Sequence, residues 1–251
     1  MRVSVLSSGS KGNTTYIETD NTKILIDIGN TSKYVKEKLE DFGVKPEELD
    51  GILITHTHID HVKGLKVFKK KYNVPIYITD VMYNSLDYLD NYELLSDEFD
   101  IKDIHINVIK TSHDTPDSRG YILTNNDSSI VYITDTGYIN KKYYNILSNR
   151  NLYIMESNHD VEMLSNGKYP FHLRQRILSD KGHLSNYDSS KYLSSFIGDN
   201  TKYILLAHLS EENNNEELAY ETLVSRLKAD NKKTPNIIIT KQDKETELIC
   251  I

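Results

Sequence analysis

The sequence predicts one α/β domain over residues 1–251, in which two β-sheets pack face to face and helices lie outside. Two observations favour this fold class: short β-rich runs occur in two stretches, and helical patterns follow each stretch. A third observation is that no fixed repeat, low-complexity stretch or long linker divides the chain. At this length roughly 70–75% of the unfolded surface can be buried, so the core can stabilise the fold alone.

The N-terminal β-rich stretch opens as a meander, with Gly, Ser and Asn turns between its strands. Thr31 and Ser32 offer an N-cap for the first helix, and Gly43 supplies its end. A buried apolar strand then leads into a histidine cluster, and a basic helix follows. The strands predicted here are 2–6, 14–18, 23–27, 51–55 and 75–78, and the helices are 33–42 and 62–72.

The remainder of the chain alternates between β-rich runs and amphipathic segments, which are typical of strands and helices respectively. The predicted strands are 105–110, 121–124, 130–134, 152–156, 203–207, 236–240 and 247–251. The predicted helices are 141–148, 171–178, 186–196 and 216–228.

Composition limits the function classes. The longest apolar runs, such as 204–207, fall far short of the ~20 residues that cross a bilayer, and the N-terminal apolar stretch is too short for a signal peptide. We therefore expect a cytoplasmic protein without a membrane partner. The single cysteine, Cys250, cannot form an internal disulfide. The net charge of −7 argues against a surface coated in positive charge for non-specific nucleic-acid binding.

The main feature is a histidine cluster directly after the apolar strand 52–54. It reads His56-Thr57-His58-Ile59-Asp60-His61, with four residues able to ligate a metal within six positions. Because alternate side chains of an extended backbone point the same way, His56 and His58 are expected to face one ion. Asp60 and His61 are then free to face a second ion.

Further candidate ligands follow later apolar runs. His113, Asp135 and His208 each stand just past a predicted strand. Asp27 ends the strand before the first helix and is expected to orient a ligand histidine through its second nitrogen. Each of these residues alone is equally explained as a polar strand cap, but together they predict a metal site.

This series resembles the metal-binding residues of the metallo-β-lactamase superfamily along nearly the whole chain. The stretches 8–13, 112–114, 156–160, 175–186 and 207–214 are similar to its YycJ-like (WalJ-like) branch. The resemblance implies an α/β (α+β) fold, the αββα four-layer sandwich, with two divalent metal ions and 5′-exonuclease activity on DNA. It implies that the ligands are His56, His58 and His113 on one ion, Asp60, His61 and His208 on the other, and Asp135 between them.

A bridging carboxylate at Asp135 favours phosphoester hydrolysis over lactam opening. The commonest β-lactamases of the superfamily use a cysteine there, and the only cysteine of this chain stands elsewhere. Two ions about 3.5–4 Å apart activate water at neutral pH and clamp a phosphoryl group. Imidazole-rich ligands suit Zn²⁺, and the carboxylates also admit Mn²⁺ or Fe.

A second group of residues is similar to the tRNase Z family, in which a histidine handles the scissile phosphate and a strand-end glutamate holds that histidine. The corresponding residues are His183 and Glu156. Cleavage of a phosphodiester leaves an alkoxide, which an imidazolium supported by a carboxylate can protonate or shield. With Asp60 these two residues form the expected catalytic set.

Substrate contacts are predicted at two segments near the ligands. The glycine-bracketed loop at 9–12 can present backbone N–H groups to phosphate, although a plain tight turn explains it equally well. Basic residues just before His183 are better placed for a phosphate backbone than the basic helix, which we interpret as solvated. The candidate contacts are Ser10, Lys11, Asn13, His159, Arg174, Arg176 and Lys181.

The leading hypothesis is a dinuclear phosphodiesterase that acts on nucleic acid, DNA more than RNA, from the 5′ end. Hydrolysis of small phosphodiesters, cyclic nucleotides or thioesters is the alternative enzymatic reading, because the motifs alone do not separate these substrates. A non-catalytic metal-binding module is the competing class. The chain does not predict an oligomeric state.

Overall fold

The computed structural model describes residues 1–251 and contains two seven-stranded mixed sheets with helices outside them. This confirms the predicted arrangement. The first sheet comprises β1 (Arg2–Ser7), β2 (Thr14–Glu18), β3 (Lys23–Ile26), β4 (Gly51–Leu53), β5 (Ile76–Ile78), β6 (Glu93–Leu94) and β14 (Ile249–Cys250). The second comprises β7 (Glu98–Ile101), β8 (Ile104–Lys110), β9 (Arg119–Asn125), β10 (Ser128–Ile133), β11 (Leu152–Glu156), β12 (Tyr203–Ala207) and β13 (Asn236–Ile239).

Each sheet is antiparallel in one part and parallel in the other. The first sheet has the order β14-β1-β2-β3-β4-β5-β6, and it becomes parallel from β3 onward. The second has the order β13-β12-β11-β10-β9-β8-β7, and β10 to β13 are parallel. Parallel strands end at the same edge of a sheet, so the residues that follow them are brought together.

The helices cover the outer faces. α1 to α4 lie with the first sheet, and α8 and α9 pack over the second. Their bounds are α1 (Ser32–Asp41), α2 (Ile59–Val62), α3 (Leu65–Lys71), α4 (Asp80–Tyr83), α5 (Tyr144–Leu147), α6 (Val161–Asn166), α7 (Phe171–Ile177), α8 (Asn186–Phe196) and α9 (Glu216–Ala229). None of them combines the length and the apolar character that crossing a bilayer requires.

Three apolar layers explain the strand patterns. Ile24 and Ile26 of β3 face the second sheet, whereas Leu25 between them packs under the outer helices. Side chains alternate along a strand, so a run that is apolar at every position is buried on both faces. Tyr153 and Met155 of β11 in turn face α8 and α9. The histidine cluster is thus attached to strands that are fixed from both sides.

Several predicted bounds were wrong. The basic helix predicted at 62–72 begins only at Leu65, and the short helix α2 before it was not predicted; Gly64 lies between the two, where a Cβ would be 2.1 Å from the carbonyl oxygen of Asn30. The strand predicted at 121–124 begins at Arg119, and the last strand contains only Ile249–Cys250. The predictions missed the short elements β6, β7, α4 and α6, which are too brief to show a periodic pattern.

Candidate metal centre

The candidate ligands come together at one edge of the two sheets. β3 and β4 of the first sheet end there, as do β8, β10, β11 and β12 of the second. The residues at or just after these ends are Asp27, the cluster 56–61, His113, Asp135, Glu156 and His208. Positions up to 181 residues apart in the chain therefore share one site.

The side chains form four overlapping groups, and within each group the ligating atoms lie within 4.8 Å of one another. His58 Nδ1 lies 3.2 Å from His113 Nε2. His61 Nε2 lies 3.2 Å from Asp135 Oδ2, and His208 Nε2 lies 3.6 Å from Asp60 Oδ2. The groups are His56, His58 and His113; His56, His61 and Asp135; Asp60, His61 and His208; and Asp135, Glu156, His183 and His208.

Three buried atoms of this cluster have no hydrogen-bond partner: His56 Nε2, His208 Nε2 and Asp135 Oδ2. A buried polar atom without a partner costs free energy, so native proteins rarely leave one. Three such atoms within one cluster of potential metal ligands are consistent with a bound cation. The donor set, imidazole nitrogens with carboxylate oxygens, also suits a divalent metal.

The carboxylates of the cluster are ionised in spite of their burial. Burial alone would raise the pKa of Asp135, but the neighbouring His208 and His61 outweigh it and hold that pKa well below its ordinary value. In the same way partial burial would raise the pKa of Asp60, but His61 and His208 together outweigh it and lower that pKa. Buried negative charge needs compensation, which histidine cations or metal ions can supply.

Asp27 lies beneath the cluster and is fully buried. Its carboxylate accepts hydrogen bonds from Thr55 N at 2.8 Å and from Thr55 Oγ1 at 2.7 Å, and Oδ2 lies 2.7 Å from His61 Nδ1. A proton held on Nδ1 leaves Nε2 of His61 as the ligating nitrogen. This geometry fits the orienting role expected for Asp27.

Glu156 contacts two histidines at once. Its Oε1 lies 2.7 Å from His183 Nδ1 and 3.0 Å from His208 Nδ1, while Oε2 accepts from the backbone of Leu184 and Thr136. Burial would raise the pKa of Glu156, but the two histidines lower it to about 2. Conversely, burial would lower the pKa of His183, and Glu156 raises it. The sequence predicted the contact with His183 and missed the one with His208.

Three residues of the site have left-handed backbone conformations. The φ angles are 60° at Asp27, 55° at Asp135 and 57° at His208. Residues other than glycine rarely adopt such angles, and they concentrate at functional sites. Each of them follows a strand end, so the sharp turn directs the side chain into the shared cluster.

A cavity of about 240 Å³ opens onto these residues. Asp60, Asp135, His183 and His208 contribute to its walls. His183 keeps 19% of its side chain exposed, whereas Glu156 behind it is completely buried. A substrate therefore meets His183 and the ligands, but not Glu156.

Residues 8–208 match the family model of the metallo-beta-lactamase superfamily. The chain belongs to this superfamily. It is 39% identical to "Exodeoxyribonuclease WalJ" of Streptococcus pneumoniae strain D39 over 236 residues, which cover 90% of this chain and 88% of that protein. It is also 39% identical to "Exodeoxyribonuclease YycJ" of Bacillus anthracis over 227 residues, 87% of this chain and 86% of that one. The resemblance in the motifs is thereby confirmed.

Solved structures confirm the metallo-beta-lactamase fold. The Bacillus subtilis protein YhfI superposes with a TM-score of 0.71 at 17% identity, over 98% of this chain and 99% of that chain. Human tRNase Z, short form, superposes with a TM-score of 0.65 at 14% identity, over 100% of both chains. At these identities the likeness concerns the fold alone.

The predicted substrate contacts of this superfamily member divide into two sets. Ser10 and Arg176 line the cavity. Lys11 instead pairs with Glu211 at 2.6 Å, Arg174 donates to the carbonyl of Ser165, and Lys181 is exposed outside the cavity lining.

Two further predicted substrate contacts are buried and do not line the cavity. Asn13 is 1% exposed, and its carboxamide nitrogen lies 3.2 Å from Asp60 Oδ2 and 3.0 Å from His61 Nε2, so it supports the ligands from below. His159 is also 1% exposed and lies behind the cavity, beside Asn158. Both are polar residues in predicted loops, and the sequence does not show that other segments of the chain cover them.

The cavity residues that were not predicted include Asp114 and Asn158, which contact predicted site residues. Asp114 forms an ion pair with Arg176 and has its Oδ1 3.5 Å from His113 Nε2. Asn158 donates from Nδ2 to the carbonyl oxygen of His208 at 2.9 Å. The sequence position of Asp114 next to His113 could have indicated its place in the site. No such signal existed for Asn158, because its contact joins segments 50 residues apart.

Proposed function

We propose that this protein is a metal-dependent exodeoxyribonuclease that hydrolyses DNA from the 5′ end. The observation that carries the proposal is the His183–Glu156 pair at 2.7 Å, with His183 in the wall of a cavity that five of the seven candidate ligands also line. The two curated relatives named exodeoxyribonucleases, each 39% identical over most of the chain, support DNA as the substrate. Ligands from both sheets support one catalytic domain over 1–251.

We propose two divalent ions, Zn²⁺ or Mn²⁺ with Fe as a further possibility, as the cofactors. His56, His58 and His113 would hold one, Asp60, His61 and His208 the other, and Asp135 both; each set lies within the ligating groups. When bound, such ions activate water for attack on phosphorus and offset the charge of the phosphate.

The protein residues supply orientation and proton transfer. Glu156 holds Nδ1 of His183, so Nε2 is the nitrogen that remains for the substrate. Glu156 raises the pKa of His183 and so favours the protonated imidazole, and a protonated ring can donate to the leaving oxygen. Asp60 contributes as a partly buried anion between His61 and His208.

The main alternative substrate is a small phosphodiester such as a cyclic nucleotide. The limited cavity volume of about 240 Å³ favours it, because a small molecule needs no contacts outside the cavity. The test is incubation with end-labelled single- and double-stranded DNA, RNA and cyclic nucleotides, in Mn²⁺ and in Zn²⁺. Release of labelled product from the 5′ end of DNA is the expected result, and cleavage of small phosphodiesters alone would refute the nuclease assignment.

His183→Ala tests the catalytic pair. We expect kcat to fall about 10²- to 10⁴-fold, because general acid catalysis typically contributes that much. Metal content, measured by elemental analysis, should stay at the wild-type value. His105→Ala is the matched control, since His105 is 44% exposed on β8 and pairs with Asp100. Full activity of the His183 variant with metal retained would contradict the assigned role.

A further inference from the structure

One wall of the metal cavity is apolar. It consists of Tyr169, Leu173 and Ile177, with Leu209 from the loop after β12. The other lining residues are polar, charged or glycine. This wall is unusual because metal ions and phosphate are bound by polar and charged groups, not by apolar side chains.

Three of the four side chains of the apolar wall lie outside the hydrophobic core, whereas Leu209 packs against the core cluster beneath α8 and α9. Tyr169, Leu173 and Ile177 belong to none of the three core clusters and do not pack against them, and α7 contains no buried residue. Apolar side chains that face a cavity without a core contact are available to a ligand. Folding alone therefore does not explain why these positions are apolar.

Helix geometry combines this surface with a phosphate-binding group. Leu173, Arg176 and Ile177 stand at i, i+3 and i+4, which places them on one face of α7. Arg176 pairs with Asp114, whose Oδ1 lies 3.9 Å from His58 Nε2, so the helix is attached directly to the metal cluster. The guanidinium has further N–H donors beyond this pair.

We propose that the apolar wall binds the base of the terminal nucleotide, an inference that rests on the proposed exonuclease function. A nucleobase offers a flat apolar face that stacks on aromatic side chains regardless of sequence, and Tyr169 is the aromatic residue of the cavity lining. Arg176 would meet the phosphate next to that base. The base and its phosphate thus occupy the apolar and the charged side of one cavity.

The small cavity favours binding of a chain end over binding of a duplex. About 240 Å³ is below the roughly 300–1,000 Å³ of sites for drug-sized molecules, so the cavity is too small to take in a duplex. The terminal base must leave its stacked neighbour to enter. Stacking on the apolar wall compensates for that loss, and an internal base has no comparable route into the cavity.

The test compares two 5′-phosphorylated oligonucleotides that differ only in the terminal nucleotide, which is normal in one and abasic in the other. Base stacking on protein is worth a factor of roughly 5 to 150, so wild-type kcat/KM should be higher for the normal end by that ratio. Equal cleavage of the two ends would overturn the proposal. Cleavage of neither end would instead contradict the proposed exonuclease function.

Substitutions in the apolar wall test whether it causes the preference for a normal over an abasic end. Tyr169→Ala and Leu173→Ala should reduce the ratio to within about 2-fold of one. Phe171→Ala is the matched control, since Phe171 lies on the same helix, is 70% exposed and does not line the cavity, and the ratio should stay at the wild-type value. Loss of the ratio in the Phe171 variant as well would overturn the assignment to the wall. Circular dichroism checks that each variant folds.

A binding measurement without catalysis completes the test. An oligonucleotide with 2-aminopurine at its 5′ end is titrated with protein in EDTA. Quenching of its fluorescence is expected with wild type and with Phe171→Ala, and a clear reduction of that quenching is expected with Tyr169→Ala. The same quenching in all three proteins would overturn the proposal. This readout still tests the wall if no DNA cleavage is found.

Discussion

At the residue scale, four histidines of the cluster have one ring nitrogen fixed by a neighbour. Nδ1 of His61 faces Asp27, and Nδ1 of His208 faces Glu156. Nδ1 of His113 lies 3.2 Å from the carbonyl oxygen of Gly182, and that of His56 lies 3.1 Å from Thr55 Oγ1, so Nε2 is directed toward the site in each case. Such contacts orient a ligand and increase its basicity. They make specific predictions for residues outside the ligand set.

Asp27→Asn should weaken metal binding by about 10- to 100-fold, because the buried partner of His61 loses its charge while its shape is kept. Titration of the metal-free protein with Zn²⁺ or Mn²⁺ measures the affinity. Asp20→Asn, an exposed change in a surface turn, serves as the control and should leave the affinity unchanged. Wild-type affinity in the Asp27 variant would show that the contact does not support the ligand.

His159 makes stability dependent on pH. Burial lowers the pKa of this imidazole from 6.5 to about 4, with smaller effects from Glu156, His183, Asp188 and Asp160. Between these pH values the unfolded chain binds a proton that the folded protein does not, so stability falls as the pH falls. The resulting loss in free energy of unfolding is small above pH 6.5 and reaches about 3 kcal/mol below pH 4.

Urea unfolding of metal-free protein at pH 7 and pH 5 measures this effect. Wild type should lose about 2 kcal/mol more than His159→Gln over that interval, because the variant has no imidazole to protonate. The exposed His105→Gln should behave as wild type. Parallel losses in wild type and in the His159 variant would exclude His159 as the cause.

At the element scale, the loop after β4 is held by close backbone contact with the loops after β1 and β3. Asn13 N donates to the carbonyl oxygen of Asp60 at 2.8 Å, and Ile28 N donates to that of His61 at 2.9 Å. Gly29 lies between them, where a Cβ would be 1.7 Å from Asp60 O and 2.3 Å from Asn13 N. The short helix α2 is thereby positioned by the opposite loop rather than by its own four residues.

Gly29→Ala should destabilise the protein by about 3 kcal/mol or more and should weaken metal binding, because backbone atoms at Asp60 have to move. Thermal unfolding and metal titration measure the two effects. Gly43→Asn is the control: the position is open and has a φ of +75°, which Asn tolerates, so the change should cost less than about 1 kcal/mol. A stable Gly29 variant with wild-type affinity would contradict the close contact.

At the scale of the whole molecule, the charge of −7 limits how DNA is held. Asp27, Asp60, Asp135 and Glu156 contribute to that charge at the site itself, where metal ions would offset it. Few basic groups face the cavity, and Arg176 is the one arginine or lysine in its lining. We therefore expect contact with a chain end rather than with an extended stretch of DNA.

The salt dependence of KM tests this expectation. For single-stranded DNA, log KM should rise against log salt with a slope of about 1 to 2, which corresponds to two or three phosphates. Arg176→Gln should reduce the slope by about 0.7. Lys70→Gln, on the exposed side of α3, should not change it. A slope above about 4 would indicate an extended DNA-binding surface.

Local pattern was sufficient for most of the strands and for the ligand series. A buried strand shows as an apolar run of four to seven residues. A ligand that directly follows such a run can therefore be assigned to a strand end without knowledge of the strand order in the sheet. The cluster 56–61, His113, Asp135 and His208 were therefore predictable, as was the pairing of Glu156 with His183 through family resemblance. Elements of two to six residues, such as β6 and α6, carry too little pattern to be predicted.

The sequence by itself determined which residues could bind metal and on which strands they lie, because apolar periodicity and ligand type are local properties of the chain. Only the tertiary structure decided which strand ends meet, and contacts such as that of His208 N with Ser8 Oγ join residues 200 apart. It also buried Asn13 and His159, joined Glu156 to His208 and placed Tyr169, Leu173 and Ile177 at the cavity, outside the core clusters. Burial depends on what covers a residue, and the covering segments lie far away in the sequence.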